Sequence, residues 1–224
     1  MNLVREFINF TRGQDPKDAM NTGLQNAIEE WLYRMGIHKY ELSEKEMFIT
    51  VQNPVELSSK FSKQLPEFIK FKNVHGGFYC SHNKLVSLEG MPEHVKGGFI
   101  CNDNLLTNLK NGPKVVDGFY VVDNNKLVSL EGLPEKINTL AINNNLLTSL
   151  EGCPKIINGD LFCYDNNLKN LDFLPEQIIG SLFISYTEDF KCRYNINDLK
   201  HRVGPIFIEE IQDVCMVNEN IKII

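Results

Sequence analysis

No stretch of the 224-residue sequence reaches about 18 apolar residues, so no transmembrane helix is expected. The chain has no run of basic residues. Its 29 acids against 23 lysines and arginines leave a net charge of -6, which argues against a general nucleic-acid binder. The opening segment, residues 1–13, has charges early and no apolar signal core, so cytosolic residence is the expectation. There are six cysteines, but no two stand at the C-x-x-C spacing of a zinc site. Phosphate-loop, dinucleotide-fingerprint, H-E-x-x-H and G-x-S-x-G patterns are all missing. The five histidines are scattered, and none is paired in sequence with a nucleophile. No catalytic residue, metal site or cofactor is therefore expected, and the chain reads as a non-enzyme.

What the sequence has is a repeat. Aligning on one asparagine gives Asn83, Asn104, Asn125, Asn145 and Asn166, at intervals of 21, 21, 20 and 21 residues. Leucines follow at plus two and plus five, and a proline at plus nine. Apolar residues precede each asparagine at minus five and minus three: Phe78/Cys80, Phe99/Cys101, Tyr120/Val122, Leu140/Ile142 and Leu161/Cys163. Side chains alternate along a strand, so these pairs share one face of a short strand and point into a core. The asparagine ends the strand, and its amide can satisfy backbone groups of the neighbouring turn. Stacked copies would then form a polar ladder. Proline turns the chain, and Val95, Val116, Ile137, Ile157 and Ile178 plug the return arm. Glycines 76, 97, 118, 159 and 180 are read as allowing a tight turn into the next strand. The fourth unit lacks this glycine and is one residue short, which places the deletion between Ile137 and Leu140. The fold class that follows is an α/β repeat solenoid. Leucine-rich units of about 21 residues stack into one curved parallel sheet between helical N-terminal and C-terminal caps.

The boundaries are a helical region at 1–45, an irregular capping repeat at 46–74, the solenoid at 75–187 and a helical cap at 188–224. Val4 to Phe10 is a short segment that reads as helical. Asp15 and Pro16 mark an N-cap and first helical position, and Gly36 the stop. Met20, Leu24, Ala27, Ile28, Trp31, Leu32 and Met35 fall on one helical face, read as packing. Gly23 within it suggests close packing or a break. Residues 46–52 read as a strand beside the first regular repeat strand. Aligning Pro66 with Pro92 makes the capping unit 26 residues long. Past Thr187, two short helices bent at Gly204-Pro205 are expected, and the last nine residues finish as a strand or a tail.

Cys80, Cys101 and Cys163 occupy the minus-three slot that valine and isoleucine fill elsewhere, and read as small hydrophobes. Cys80 and Cys101 fall within disulfide reach on adjacent strands, but a reducing cytosol argues against the bond. His82 stands at a strand end that other units fill with Asp103, Asn124, Asn144 and Asp165, and reads as a surface residue.

Side chains at minus four and minus two leave the core and line the outer, concave face. The minus-two column is mostly polar: Ser81, Asn102, Asp123, Asn143, Tyr164 and Ser185. The minus-four column is apolar: Tyr79, Ile100, Val121, Ala141, Phe162 and Phe183. Such a column marks an interface, with aromatics as favoured anchors. The residues assigned to partner binding are Tyr79, Ile100, Val121, Asp123, Phe162, Tyr164, Phe183 and Tyr186. Three occupants stay open at this point: a foreign protein, a second copy of the chain, or the chain's own termini. The acids around the face are too few, and too mixed with apolar residues, to mimic DNA.

The unit Phe78, Cys80, Ser81, Asn83, Leu85, Ser87, Leu88, Glu89, Gly90, Pro92 resembles the leucine-rich repeats of bacteriophage and phage-derived bacterial proteins, "F-x-C-S-x-N-x-L-x-S-L-E-G-x-P". Residues 10–23 are also similar to a motif that opens many phage proteins. The resemblance implies a protein-interaction scaffold in an infected bacterial cytoplasm. It would bind a bacterial host protein, such as a defence or regulatory factor that it would inhibit. The alternative is an assembly protein that self-associates or docks to a phage particle through the same face. Some of the more distant relatives, secreted effectors with leucine-proline repeats, carry a ubiquitin-ligase domain, for which the residues after Thr187 are too few.

Overall fold

A computed structural model describes residues 16–60, 63–185, 206–209 and 221–223. It shows a parallel β-solenoid of about six turns with one helix at its N-terminal end. The helix α1 spans Pro16–Met35. The early strands are β1 Tyr40–Leu42, β2 Ile49–Val51, β3 Val55–Glu56, β4 Phe71–Val74, β5 Phe78–Tyr79, β6 His94–Val95, β7 Phe99–Ile100 and β8 Val115–Val116. The later ones are β9 Phe119–Val121, β10 Thr139–Ala141, β11 Ile156–Ile157, β12 Leu161–Phe162, β13 Gln177–Ile178, β14 Leu182–Ser185, β15 Ile206–Glu209 and β16 Ile221–Ile223.

The main sheet runs β16-β15-β14-β12-β10-β9-β7-β5-β3. Its register joins equivalent positions of successive units, as in Phe78↔Phe99, Phe99↔Tyr120, Leu140↔Leu161 and Leu161↔Leu182. The minus-five and minus-three residues of every unit are buried. An edge-to-face and stacked series of rings, Trp31–Phe71–Phe78–Phe99–Tyr120, fills the N-terminal half of the core. Leu140, Leu161 and Leu182 take the same slot in the later units. The tyrosine hydroxyl of Tyr120 is buried with no hydrogen-bond partner among the described residues.

The asparagines bind two turns at once. The Asn104 Nδ2 donates to the Cys101 and Asn102 carbonyls of its own strand and to the Cys80 carbonyl of the unit before, each at 3.1 Å. Its Oδ1 accepts from the Leu85 amide at 3.0 Å. Asn125, Asn145 and Asn166 repeat the pattern. Asn83 donates to Leu57, Cys80 and Ser81 carbonyls. The ladder is buried except at Asn166, which is half-buried.

The return arm is itself a sheet, which the sequence reading did not foresee. Strands β1-β2-β4-β6-β8 form one five-stranded sheet, and β11-β13 a second piece. Between them Ile137 makes only an isolated bridge to Ile157. The pairing thus stops at the unit that is one residue short.

The corner glycines serve a different purpose from a turn. A Cβ at Gly97 would stand 2.6 Å from the Gly77 amide nitrogen, and one at Gly118 2.8 Å from the Gly97 carbonyl carbon. Stacked backbones approach too closely there for any side chain. Left-handed backbone falls elsewhere, on Ser59, His82, Asp103, Asn124, Asn144 and Asp165, with φ from 49° to 57°. Asparagine and aspartate tolerate that conformation better than most residues.

The N-terminal end is covered. Ile28 and Leu32 of α1 are fully buried, and the Trp31 ring meets Phe71 edge-on at 6.4 Å. Gly36 stops the helix at φ 79°, with the Ile37 amide returning to the Leu32 carbonyl at 2.9 Å. The Lys60 ammonium also caps it, donating to the Met35 carbonyl at 2.9 Å. Gly23 has nothing within 4 Å of where a Cβ would stand, and the helix runs through it, so it marks neither close packing nor a break. Met20 is 76% exposed and does not join the packing face, because it lies in the first turns, beyond the end of the core.

Three further placements differ from the sequence reading. The strand at 49–51 does not neighbour the first repeat strand. It pairs with Phe71–Val74 in the second sheet, and Val55–Glu56 takes the place beside Phe78–Tyr79. Val55 pairs with Phe78 and Val74 with Val95. The first turn is therefore 23 residues long at the main sheet and 21 at the second, and neither is the 26 that aligning Pro66 with Pro92 gives. Finally, Ile206–Glu209 is a strand parallel to β14 rather than helix, and Ile221–Ile223 is a strand rather than a tail. The segment Val4–Phe10, Asp15 and the Gly204-Pro205 bend lie outside the described residues. Among the described residues, no helix is long and apolar enough to cross a membrane.

Candidate interaction face

The outer side of the main sheet is built by strand alternation. The residues that face away from the core are set by those that face in. Register pairs Glu56↔Tyr79, Tyr79↔Ile100, Ile100↔Val121, Val121↔Ala141, Ala141↔Phe162 and Phe162↔Phe183. The assigned residues Tyr79, Ile100, Val121, Phe162 and Phe183 thus form one continuous column, each half-buried. The Phe162 and Phe183 rings stack at 4.2 Å with 14° between planes. By register the column continues to Phe207 and Lys222. Tyr186 lies outside the described residues.

The polar row beside it differs along its length. At the N-terminal end, the Ser81 Oγ donates to the Asn102 Oδ1 at 2.5 Å and the Asn102 Nδ2 to the Asp103 Oδ2 at 2.5 Å. His82 Nδ1 lies 3.3 Å from the same Asp103 oxygen. That end is internally paired. Asp123 accepts from the Asn124 side chain at 3.0 Å and has no ion-pair partner among the described residues. Burial pushes its carboxyl above the ordinary carboxylate range; its own backbone amide opposes this, and the charge of Asp103 adds to it. Tyr164 is half-buried in the same row. At the far end, the Ser185 hydroxyl accepts from the Asp165 amide at 2.7 Å.

Sequence reasoning missed a second apolar strip. Val86, Leu105, Val128 and Leu146 are exposed just past the ladder, at plus one or plus three, and alternate with Lys84 and Lys126. Their signal was the exchange of leucine and lysine at plus one in successive units. A cleft of about 280 Å³ lined by Asn21, Gln25, Leu42, Glu44 and Met47 shares no residue with the sheet face.

The chemistry of the thiols is muted. Cys80, Cys101, Cys153 and Cys163 are free, and burial raises the pKa of Cys80, Cys153 and Cys163, that of Cys153 to about 12. A thiol held protonated is a poor nucleophile. Among the described residues, no group of three His, Cys, Asp or Glu side chains could hold a metal ion. What the fold offers is a long, half-apolar sheet face on a β-solenoid. Comparison with protein-family models, curated proteins and solved structures finds no match.

Proposed function

We propose that this chain is a non-enzymatic protein–protein interaction scaffold of the leucine-rich-repeat type, acting through the outer face of its main sheet. The observation that carries the reading is the unbroken apolar column from Tyr79 to Phe183. A soluble surface rarely presents apolar residues in such continuity without something to cover them. The Phe162–Phe183 stack is the natural anchor, with Asp123 and Asn102 as a polar rim. The helix α1 serves as the N-terminal cap that a solenoid end requires. The resemblance of the repeat units to those of phage proteins supports a phage-encoded chain working in the bacterial cytoplasm, with a host protein as one occupant. Self-association through the same face is the alternative.

The test is a pull-down from bacterial lysate with the wild-type chain and a Phe162→Asp/Phe183→Asp variant, both checked for fold by circular dichroism. The reading expects the wild type to retain a protein, foreign or its own copy, that the folded variant loses. Equal retention by both would overturn it.

A further inference from the structure

The apolar strip past the asparagine ladder carries charge of one sign only. We propose that this edge of the solenoid lies on an anionic lipid membrane. The strip shares no residue with the outer column, so the proposal stands apart from the reading of that face.

After each ladder asparagine, the leucine at plus two packs against the core, and the residues at plus one and plus three are exposed. Lysine and an aliphatic residue change places from unit to unit. Lys84 stands with Val86, Leu105 follows, Lys126 stands with Val128, and Leu146 follows. The aliphatic side chains are 43% to 60% exposed, so the fold does not bury them. Backbone bonds hold the units in line: the Lys126 amide donates to the Leu106 carbonyl at 2.9 Å and the Val128 amide to the Thr107 carbonyl at 3.0 Å. The row of plus-three residues ends in lysine on both sides. The Lys63 carbonyl accepts from the Val86 amide at 2.9 Å, and the Lys169 amide donates to the Thr148 carbonyl at 3.1 Å.

The chain as a whole has a net charge of -6, yet no unit places an acid at plus one or plus three. Among the described residues, Lys63, Lys84, Lys126 and Lys169 have no ion-pair partner, whereas Lys72, Lys110, Lys114 and Lys155 are paired with glutamates. Acids resume in the rows on either side, where Asp103 meets His82 and Glu131 meets Lys110. The strip is thus a cationic and aliphatic line, and its partner must be anionic and apolar together. Composition separates a lipid surface from a protein. Protein interfaces favour aromatic residues, methionine and arginine as anchors and are poor in lysine. This strip holds lysine and aliphatic residues, with no aromatic residue, methionine or arginine at either position in the five units. That mixture suits a membrane interface, where aliphatic groups dip among acyl chains and ammonium groups reach the phosphates. The negative charge elsewhere on the chain is screened beyond about 10 Å at ordinary ionic strength and does not forbid the contact.

The test is flotation of the full chain with vesicles of equal parts phosphatidylglycerol and phosphatidylcholine, against vesicles of phosphatidylcholine alone, over a salt series. The wild type is expected to float with the first and not the second, and less as salt rises. Lys84→Gln/Lys126→Gln should lower the partition coefficient about 25-fold, at about fivefold for each lysine. Lys96→Gln/Lys136→Gln removes the same charge from exposed lysines off the strip and should stay within about twofold of the wild type. Insertion is read by fluorescence, with the single Trp31 as background. Emission of Leu146→Trp should shift to the blue when the anionic vesicles are added, and that of Ile156→Trp, exposed on the return arm, should not. All variants are checked for fold by circular dichroism. A wild type that does not float with the anionic vesicles at low salt overturns the proposal. So do equal losses from the two lysine pairs, or a shift at Ile156→Trp as large as at Leu146→Trp. A lysate protein held by the wild type and lost from the folded Lys84→Gln/Lys126→Gln variant, with no vesicle binding, also overturns it and gives the strip to an acidic protein.

Discussion

The inner and outer columns of the main sheet distribute their aromatic residues differently. Inside, Phe78, Phe99 and Tyr120 fill the early units and leucines the later ones; outside, Tyr79 stands alone at the early end, Ile100, Val121 and Ala141 follow, and Phe162 and Phe183 come last. The inner aromatics are completely buried, whereas the outer ones keep part of their surface in water. Full burial of a large apolar side chain contributes about 1.5–3 kcal/mol, and a half-covered one correspondingly less. Packing within one chain therefore accounts for the inner column and leaves the outer one without a reason of its own. That asymmetry is why the outer column, rather than the richer inner one, is the candidate interface.

The comparison breaks most easily by truncating one ring on each side. Phe99→Ala should cost about 3–5 kcal/mol in denaturant unfolding, as expected for emptying a fully buried phenylalanine site between Phe78 and Tyr120. Phe183→Ala in the isolated chain should cost less than half of that. Equal losses would mean that the outer column is core and that its partial exposure is misleading.

The asparagines separate the two faces next. Asn104→Ala leaves the Leu85 amide and the Cys80, Cys101 and Asn102 carbonyls without the amide that now joins them. About 3 kcal/mol of destabilisation is expected, since each buried group left unpaired costs about 1–3 kcal/mol. Asn102→Ala, two residues away in the outer row, should stay within about 0.5 kcal/mol. Chemical denaturation of the two variants side by side decides it.

Smaller effects sharpen the contrast from each side. Tyr120→Phe deletes a buried hydroxyl that has no partner among the described residues, so a gain of about 1 kcal/mol is expected, read as a higher melting temperature. A loss would show that the hydroxyl is solvated or bonded in solution. A double-mutant cycle on Phe162 and Phe183 in the single chain should return about 0.5–1.5 kcal/mol of coupling for their stacked rings. A coupling near zero would place the two rings apart until a partner orders them.

How much of this was legible depended on how many residues carried each signal. The inner phase rests on two alternating residues per strand repeated five times, and both faces followed from it. The ladder rests on one asparagine in a fixed place. The second sheet was hidden because in the repeat units each of its strands sends one residue inward, such as Val95 beside His94, where the main sheet sends two. One inward residue has no period. Ile49 and Val51 alternate as well as any inner pair, so local pattern does not say which sheet they join. The neighbour of Phe78 is instead Val55, whose strand follows Pro54. A Cβ at Gly76 would stand 2.5 Å from the Pro54 nitrogen, so that proline stacks against the glycine corner. At the other end, Ile206 and Phe207 suit a helical face with Leu199 and Val203, but also a strand. Long-range pairing with Leu182 and Phe183 decided for the strand.

The last difference between the faces is one of charge. The inner column has none, while the outer row holds Asp123 half out of water, with its carboxyl raised above the ordinary range chiefly by burial. A raised folded pKa means that the folded chain holds this proton more tightly than the unfolded one. The carboxyl therefore weakens the fold at neutral pH, and stability at this site rises as pH falls through the raised pKa toward the unfolded value, near 4. Asp123→Asn should remove that trend and stabilise the single chain at pH 7 by less than about 0.5 kcal/mol, because a half-exposed carboxylate is strongly screened.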